Sequence, residues 1–373
     1  MATYSVYLTD PNGTRIADAS NFISLEYSRV VNNWSTLRLE LPSQFNTQLI
    51  RIPDGRVEVW RRIDSGREYL DTDTTWLIKD LYYRRDETGN VNLMIEADTP
   101  LSILREPGRI AYGYAGTSTV MLSDAPADDQ IKTIARNHIG ASAGALRDLS
   151  AYVAIEANAS LGASVAKAFA WRDCLVVCQE IAQASTDAGS YIAFDIVSPT
   201  IDTYELRTYA GQRGVDHRIG SGNPVLLSPE MGNLGETELR ISYRDMASFV
   251  VIGGAGQGTN RTIATVEDTT LEALSPFSVR ELFVENTQTI DSATLTSDAR
   301  AALRMARPRI SFSGRLIDTQ DTRYGLHWQW GDYVTAQDFG RSFDCRIEAV
   351  TVTVHGGDRY ETVDAWLRSE TYQ

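Results

Sequence analysis

The sequence contains few cysteines and no long hydrophobic segment. Three cysteines in 373 residues, Cys174, Cys178 and Cys345, are too few and too scattered for a disulfide framework, so a reducing site of synthesis is expected. The longest apolar runs, 191–197 and 249–252, are far shorter than the ~20 residues of a membrane-spanning helix. The amino terminus has no basic segment followed by an apolar core, which argues against a signal peptide. We therefore expect a soluble protein that does not insert into a membrane.

Positive charge is also scarce. The chain has 49 Asp and Glu residues against 35 Lys and Arg residues, which gives a formal net charge of -14 at pH 7. Proteins that bind nucleic acid do so through basic patches that displace phosphate counterions. An acidic surface repels phosphate, so we expect no sequence-specific nucleic-acid partner. The composition is otherwise that of a globular protein, and the length allows two or three domains.

Alternating apolar residues predict β structure at both ends of the chain. In residues 1–104 the clearest example is 37–41, where leucines occupy every second position. Residues 225–373 alternate again and contain one predicted helix, 291–307, which ends where Pro308 forbids its continuation. Short strands with closely spaced turns are typical of a barrel or a sandwich.

Residues 105–224 have a mixed pattern. Apolar residues at helical spacing predict a helix over 128–139. An Ala-rich stretch predicts a long helix over 164–184, with a possible interruption near 171–173. Two strands are expected after it, before residue 210. The whole chain is therefore predicted to be mixed and mainly β, with an α+β insert.

The two β regions resemble each other at three positions. Ile78, Leu81 and Tyr83 precede a hairpin turn at the same spacing as Ile347, Val350 and Val352. Such spacing is common in hairpins, so internal duplication and chance both remain open.

Two glycine motifs resemble enzyme signatures, but their surroundings favour other interpretations. Gly253-Gly-Ala-Gly256-Gln-Gly258 follows a strand, yet alternating β-branched residues come after it, where a dinucleotide-binding motif needs a helix. Gly140-Ala-Ser142-Ala-Gly144 has the spacing of a hydrolase nucleophile elbow, but a predicted helix precedes it instead of a strand. We interpret the first motif as a hairpin turn and the second as a linker.

Metal-binding patterns are weak. The four histidines lie in separate contexts, without the spacing of a helical zinc site. Asp71-Thr-Asp73 lacks the glycine and the distal glutamate of a calcium loop, which favours a solvated loop. Cys174 and Cys178 have no second ligand pair and are interpreted as core residues. We therefore expect no catalytic residue, no cofactor and no metal site, and we expect that the protein is not an enzyme.

Aromatic residues crowd around Gly331. Tyr324, Trp328, Trp330 and Tyr333 lie within ten positions. Tryptophan and tyrosine bury large areas and keep a polar group, so such a cluster is typical of a sugar-binding platform or a protein interface. It is equally typical of side chains that close the end of a barrel, and the sequence does not separate these interpretations.

The succession of motifs along the chain is distinctive. Trp34 precedes the alternating strand that ends at Pro42, and a later strand and glycine turn lead to two arginines, a helix and the aromatic cluster. The residues that carry this succession are Trp34, Pro42, Gly253, Gly256, Arg261, Arg280, Tyr324, Trp328, Gly331 and Asp332. The succession resembles the siphovirus tail-tip hub family, also called tail-associated or baseplate hub proteins, whose fold is shared with the central hub of contractile phage baseplates.

This resemblance implies a structural role for those ten residues and a defined architecture. It implies two tail-tube-like β-barrel domains, 1–104 and 225–373, and a helix-containing α/β middle domain, 105–224. It also implies a homotrimer at the tail tip of a virion, with the tail tube or distal tail protein, the tape measure protein and receptor-binding or fibre proteins as partners. Such a hub lines the channel for DNA ejection, and an acidic lumen would let DNA pass without binding.

Two alternatives remain open at this point. The first is a carbohydrate-binding or carbohydrate-degrading tail protein that uses the aromatic cluster and an unidentified pair of carboxylates. The second is the hub of a phage-related secretion particle, which shares the fold and differs in the particle that contains it.

Overall fold

The computed structural model describes residues 2–85, 87, 89–111, 120–169, 171–286, 290–356 and 360–372. Within them the chain is mainly β, with helices concentrated in the middle of the sequence and near residue 300. The strands of the amino-terminal region are β1 (Ala2–Thr9), β2 (Arg15–Asp18), β3 (Ser24–Val30), β4 (Thr36–Pro42), β5 (Arg56–Ile63), β6 (Tyr69–Leu70), β7 (Trp76–Arg85) and β8 (Val91–Asp98).

The middle region combines short strands with two helices. Its strands are β9 (Ile110–Ala111), β10 (Val120–Pro126), β11 (Val153–Ile155), β12 (Ser164–Phe169), β13 (Arg172–Asp173), β14 (Ile192–Val197), β15 (Tyr204–Ala210) and β16 (Asp216–His217). Its helices are α1 (Ala127–His138) and α2 (Cys174–Asp187).

The last region returns to β structure. Its strands are β17 (Leu226–Leu227), β18 (Leu234–Ser242), β19 (Phe249–Gly253), β20 (Ile263–Glu267), β21 (Glu281–Glu285), β22 (Arg309–Ile317), β23 (Tyr333–Asp338), β24 (Arg341–His355) and β25 (Tyr360–Tyr372). Its helices are α3 (Thr269–Glu272) and α4 (Ser292–Met305), and no helix in the described part of the chain has the length and hydrophobicity to cross a membrane. The prediction of a mainly β fold with a helical insert is confirmed.

One large sheet contains strands from both ends of the sequence. Its order is β18-β22-β25-β24-β3-β4-β8-β7-β5-β1-β2, with β23 beside β24 and the short strands β16 and β17 beside β23. The amino-terminal and carboxy-terminal parts meet where β24 pairs antiparallel with β3. Among the described residues no strand order closes into a barrel, so the two closed barrels stay a prediction.

The chain divides into two compact units, which we call unit 1 and unit 2. Unit 1 comprises Met1–Glu236 and Gly314–Leu367, and unit 2 comprises Thr237–Ser313 and Arg368–Gln373. The predicted domain limits 1–104, 105–224 and 225–373 stay a prediction.

Alternation of apolar residues explains the sheet of unit 1. In β4 the side chains of Leu37, Leu39 and Leu41 are fully buried, whereas their neighbours are exposed or half-buried. Successive residues of a strand point to opposite faces, so this strand places its leucines on the core side. The three-position match between the hairpins does not extend to burial, because Leu81 is half-buried and Tyr83 is exposed, while the corresponding Val350 and Val352 are buried.

The prediction of a long helix over 164–184 is wrong in its first half. Residues 164–169 form β12, which pairs antiparallel with β10, and the helix α2 begins only at Cys174. The Asp173 carboxylate caps this helix by accepting hydrogen bonds from the backbone N–H groups of Leu175 and Val176. Helix propensity is a weak preference, and pairing with a partner strand overrides it here.

The helices α1 and α2 pack on a small sheet in the middle of unit 1. The sheet has the order β11-β15-β14, and every residue of β14 is buried. The helix predicted over 128–139 is confirmed as α1. The interpretation of Cys174 and Cys178 as core residues is also confirmed, since both side chains are fully buried in this core.

Unit 2 has a core of its own. Helix α4 packs on a sheet of three strands in the order β20-β19-β21. The core between them contains Val250, Ile252, Leu295 and Ala299. The glycine-rich segment connects the antiparallel strands β19 and β20, which confirms its interpretation as a hairpin turn. The helix predicted over 291–307 is confirmed as α4.

Candidate functional site

Four of the ten signature residues lie together in unit 1. Tyr324, Trp328, Gly331 and Asp332 occupy the segment that leads into β23. Their side chains and backbone contact strands from the amino-terminal region and from the middle region. We call this assembly the buried polar joint, and it consists of those four residues with Arg29, Arg61, Asp71, Asp195, Arg213 and Trp330.

The aromatic side chains of the joint are buried. Tyr324, Trp328 and Trp330 are 2%, 1% and 3% exposed, and the rings of Tyr324 and Trp328 lie with their centroids 5.1 Å apart. The indole Nε1 of Trp328 donates a hydrogen bond to the carbonyl oxygen of Thr322 at 3.1 Å. A sugar platform needs exposed ring faces, so burial favours the interior-packing interpretation of this cluster.

Arg61 of β5 holds the aromatic segment against the amino-terminal sheet. Its Nη1 donates to the carbonyl oxygen of Tyr324 at 2.9 Å and to the hydroxyl of Tyr69 at 3.0 Å. Its Nη2 pairs with the carboxylate of Glu361 in β25 at 3.1 Å. One guanidinium therefore joins three segments that are far apart in the sequence, and its fixed fork of donors suits this role.

Asp71 lies at the centre of this contact. The prediction that Asp71-Thr-Asp73 forms a solvated loop is wrong for this residue, which is buried. Its side chain is 2% exposed and accepts hydrogen bonds from the hydroxyls of Tyr27 and Tyr324. Burial raises the pKa of the Asp71 carboxyl, although the charge of Arg61 and the tyrosine hydrogen bonds act in the opposite direction. Sequence spacing alone gave no sign that this residue was interior.

Asp332 fixes the backbone at the start of β23. Its Oδ1 accepts from the N–H of Val215 at 2.7 Å, and its Oδ2 accepts from the N–H of Gln329 at 2.6 Å. Gly331 adopts a φ of +84°, a conformation that favours glycine. Burial raises the pKa of Asp332, and the backbone hydrogen bonds and the neighbouring His217 oppose that shift.

Two arginines and one aspartate connect the joint to the middle region. The Asp195 Oδ2 of β14 accepts from Arg29 at 2.5 Å and from Arg213 at 3.1 Å. The guanidinium carbons of Arg29 and Arg213 lie 4.4 Å and 4.2 Å from the ring centroid of Trp330. All of these side chains are more than nine-tenths buried, so the contact is a charged network in the protein interior.

The chemistry of the joint is that of a structural connection. Its carboxylates are engaged by guanidinium groups, tyrosine hydroxyls or backbone N–H groups, and Asp71, Asp195 and Asp332 each accept at least one hydrogen bond from a distant segment of the chain. The described residues contain no group of three or more histidine, cysteine, aspartate or glutamate side chains arranged to hold a metal ion. This arrangement can therefore fix the positions of β3, β5, β14 and β23 relative to one another.

The other signature residues lie elsewhere. In unit 2, Arg261 donates to the carbonyl oxygens of Gly253 and Gly254 and pairs with Glu285 at 2.6 Å, which ties the glycine turn to β21. Gly256 has a φ of +109°, and Arg280 donates to the carbonyl oxygen of Tyr243.

Trp34 precedes β4 and Pro42 ends it, both in unit 1. The guanidinium of Arg105 lies 4.1 Å from the ring of Trp34, and Pro42 is the last residue of the strand. The structure thus groups the ten residues into three separate sets, and their role as a family signature stays a prediction.

Comparison with known proteins identifies relatives at the level of family and fold. The sequence model of the family described as Siphovirus ReqiPepy6 Gp37-like protein matches residues 5–365. No curated protein matches the sequence significantly.

Three solved structures have a similar fold over nearly the full length. A tail protein from Neisseria meningitidis MC58 is 12% identical, with a TM-score of 0.56 and coverage of 99% of this chain and 97% of that chain. A 43 kDa tail protein of prophage MuSo2 from Shewanella oneidensis is 13% identical, with a TM-score of 0.53 and coverage of 98% of both chains. The prophage tail protein gp18 from Listeria monocytogenes EGD-e is 13% identical, with a TM-score of 0.54 and coverage of 98% and 94%.

Proposed function

The chain belongs to the Siphovirus ReqiPepy6 Gp37-like protein family and shares its fold with phage tail proteins, and from this premise we propose that it is a structural tail-tip or baseplate hub of a tailed bacteriophage. The observation that carries the proposal is the extent of the fold match. Unit 1 and unit 2 together correspond to nearly the whole of a tail protein, so no large part of the chain requires a second function to explain it.

The proposed hub is a homotrimer in the virion. Three copies form a ring that joins the tail tube or distal tail protein to receptor-binding or fibre proteins, with the tape measure protein as a further partner. A head-to-tail interface repeated around an axis closes into such a ring. The buried polar joint supports this role, because a ring that transmits force between tail and host needs protomers whose segments stay in one arrangement.

The proposed ring lines the path of DNA ejection. The net charge of -14 supports a conduit that does not retain DNA, since like charges in a narrow lumen disfavour binding. We propose no enzymatic activity for the hub. The carbohydrate alternative loses its main support, because the aromatic rings it requires are buried in unit 1.

Mass and position test the proposal. Light scattering across a wide range of protein concentration should give three times the 41.3 kDa chain mass, and imaging of particles that carry an epitope on this chain should show it at the tail tip. A chain that remains monomeric at every concentration and shows no affinity for purified tail proteins would overturn the proposal. Location in a secretion particle instead of a phage would favour the second alternative.

The conduit needs its own test. Fluorescence anisotropy of a labelled DNA duplex mixed with the assembled ring should show no binding at low salt. Low salt is the stringent condition, because electrostatic attraction to phosphate is least screened there. A basic protein of similar size serves as the positive control. Salt-sensitive binding of DNA to the ring would show that its accessible surface is not repulsive, and the charge argument would fail.

A further inference from the structure

The sheet of unit 2 has one face packed on α4 and an opposite face that is largely exposed. Val250, Ile252 and Ala264 lie on the packed face, in the core with α4. Side chains along a strand alternate between the two faces of a sheet, so the residues between these point away from α4. We call that side the outer face, and it consists of Phe249, Val251, Gly253, Ile263, Thr265, Glu267, Glu281, Phe283 and Glu285.

The outer face is apolar near its centre. Ile263 of β20 and Phe283 of β21 are both 57% exposed, and Val251 of β19 is half-buried. The strand register places Val251 beside Phe283 on one side and beside Thr265 on the other. Exposed apolar surface with a polar rim is typical of a site that binds another macromolecule.

The loop that leads into β21 adds apolar side chains at one end of this sheet. Leu274, Phe277 and Val279 are 56%, 84% and 61% exposed. The loop is held in place, because Ser248 Oγ donates a hydrogen bond to the carbonyl oxygen of Ser278 at 2.8 Å. A surface that is already fixed loses little conformational freedom when a partner binds.

Two glutamates without a partner lie at the same end of the outer face. The register places Phe249 opposite Glu267 on one side and opposite Glu281 on the other. Neither glutamate side chain makes an ion pair or a hydrogen bond with another described residue. The neighbouring Arg280 donates to the backbone carbonyl oxygen of Tyr243 instead. This end of the outer face therefore attracts positive charge.

The other end of the outer face is already neutralised. Arg261 pairs with Glu285 at 2.6 Å, and its guanidinium carbon lies 5.5 Å from the ring centroid of Phe283. A Cβ added at Gly253 would lie 2.6 Å from that guanidinium carbon, so Arg261 crosses the outer face at this point. The unbalanced charge of the face is therefore confined to the end with Glu267 and Glu281.

The dimensions of the outer face suit one helix. Strands lie 4.7–4.9 Å apart, so the two outer strands of a three-stranded sheet are about 10 Å apart, and a helix with its side chains is about 10–12 Å wide. A second copy of this chain offers no suitable helix in its described part. The helices longer than one turn, α1, α2 and α4, bury their apolar sides in their own cores.

We propose that the outer face binds a basic amphipathic helix of a partner protein. The apolar side of that helix packs on Val251, Ile263 and Phe283. Lysine or arginine side chains beside its apolar side pair with Glu267 and Glu281. A helix that places its apolar side on an exposed apolar surface is a common mode of recognition, and complementary charges at the rim fix its orientation. This inference does not depend on the proposed hub function.

Fluorescence anisotropy with the full chain and labelled peptides tests the class of partner. The peptide LKKLLKKLLKKLLK forms a basic helix with leucines along one side. LKLKLKLKLKLKLK has the same composition and charge but the period of a strand, and LEELLEELLEELLE keeps the helical pattern with acidic residues. The basic helical peptide should bind at least about tenfold more tightly than either of the others. Equal binding of the two lysine peptides, or no binding of the helical one, would overturn the proposal.

Variants locate the binding on the outer face. Thr265 is exposed at the centre of the face, so Thr265→Arg preserves the fold and should weaken binding of the basic helical peptide more than about tenfold. The double variant Glu267→Gln with Glu281→Gln should weaken it at least about threefold. Glu26→Gln with Glu106→Gln is the matched control, because both residues are exposed in unit 1 and the change in net charge is the same. The control should bind the peptide as the unaltered chain does. If all three variants bind it equally, the site is refuted.

Light scattering without peptide tests whether a second copy occupies the outer face instead. Thr265→Arg should have the same mass as the unaltered chain at every protein concentration, whatever the number of copies in the assembly. A lower mass for this variant would identify the outer face as an interface between copies and would overturn the proposal.

Discussion

Loss of the charge on Asp195 should strongly destabilise unit 1. Asp195 is the only carboxylate hydrogen-bonded to Arg29 among the described residues, and the Nε and Nη1 atoms of Arg29 are buried without a partner. Asp195→Asn preserves the shape of the side chain but leaves the Arg29 guanidinium interior and uncompensated. Arg213 is less affected, because it retains Asp73 at 3.1 Å.

The expected magnitude follows from burial. Both side chains of the Arg29–Asp195 pair are at most 3% exposed, and removal of one partner of a buried ion pair costs about 3–5 kcal/mol of unfolding free energy. The double variant Arg29→Met with Asp195→Asn removes the orphaned charge as well. It should therefore be more stable than Asp195→Asn alone, because no unpaired charge is left in the interior. Its loss should also be smaller than the sum of the two single losses by about 0.5–3 kcal/mol, the usual coupling energy of residues in contact.

Urea denaturation followed by circular dichroism measures these free energies, provided that the slope with urea concentration is the same for all variants. The matched control is the exposed pair Arg38–Glu96, with side chains 59% and 33% exposed. Glu96→Gln should cost less than about 1 kcal/mol. If Asp195→Asn costs no more than this control, or if the double variant shows strictly additive losses, our account of the joint is wrong.

Three further predictions concern single residues. Because burial raises the folded-state pKa of the Asp71 carboxyl, the contribution of this group to stability falls as pH rises above about 4, its unfolded value. Asp71→Asn does not titrate, so its stability relative to the unaltered chain should be higher at pH 7 than at pH 4. Urea midpoints that differ equally at the two pH values would contradict this. Gly214→Ala should lower the free energy of unfolding in urea by about 2–4 kcal/mol, because the added Cβ would overlap the buried Oδ1 of Asp332. Gly222→Ala is the control and should leave the free energy of unfolding unchanged, because its Cβ would meet open space. Equal effects of the two substitutions would refute the packing argument. Burial raises the pKa of the Cys174 thiol to about 12, so a thiol-reactive disulfide should label it only after urea is added, and rapid labelling of the native chain would show that it is accessible.

Local patterns predicted many of the individual elements correctly. The helix over 128–139 and the helix over 291–307 were predictable because apolar residues recur at helical spacing and Pro308 marks an end. The hairpin turn at Gly253 was predictable because β-branched residues follow it. By contrast, residues 164–169 became a strand because β10 offers a partner, which no local pattern reveals.

The buried polar joint was only partly predictable. Aromatic crowding around Gly331 and the succession of family motifs pointed to Tyr324, Trp328 and Asp332, but nothing in the sequence marked Arg29, Arg61 or Asp195 as interior residues. Arginine and aspartate are usually exposed, so their burial becomes visible only when partners far along the chain approach.

The sequence alone determined the acidic charge, the alternation that makes strands and the periodicity that makes two of the helices, because each of these depends on neighbouring residues. Tertiary structure alone decided that β24 pairs with β3 and that Arg29 meets Asp195 across 166 positions. Contacts of this kind form because folding brings distant segments together in a low-dielectric interior, where a charge is stable only beside its partner.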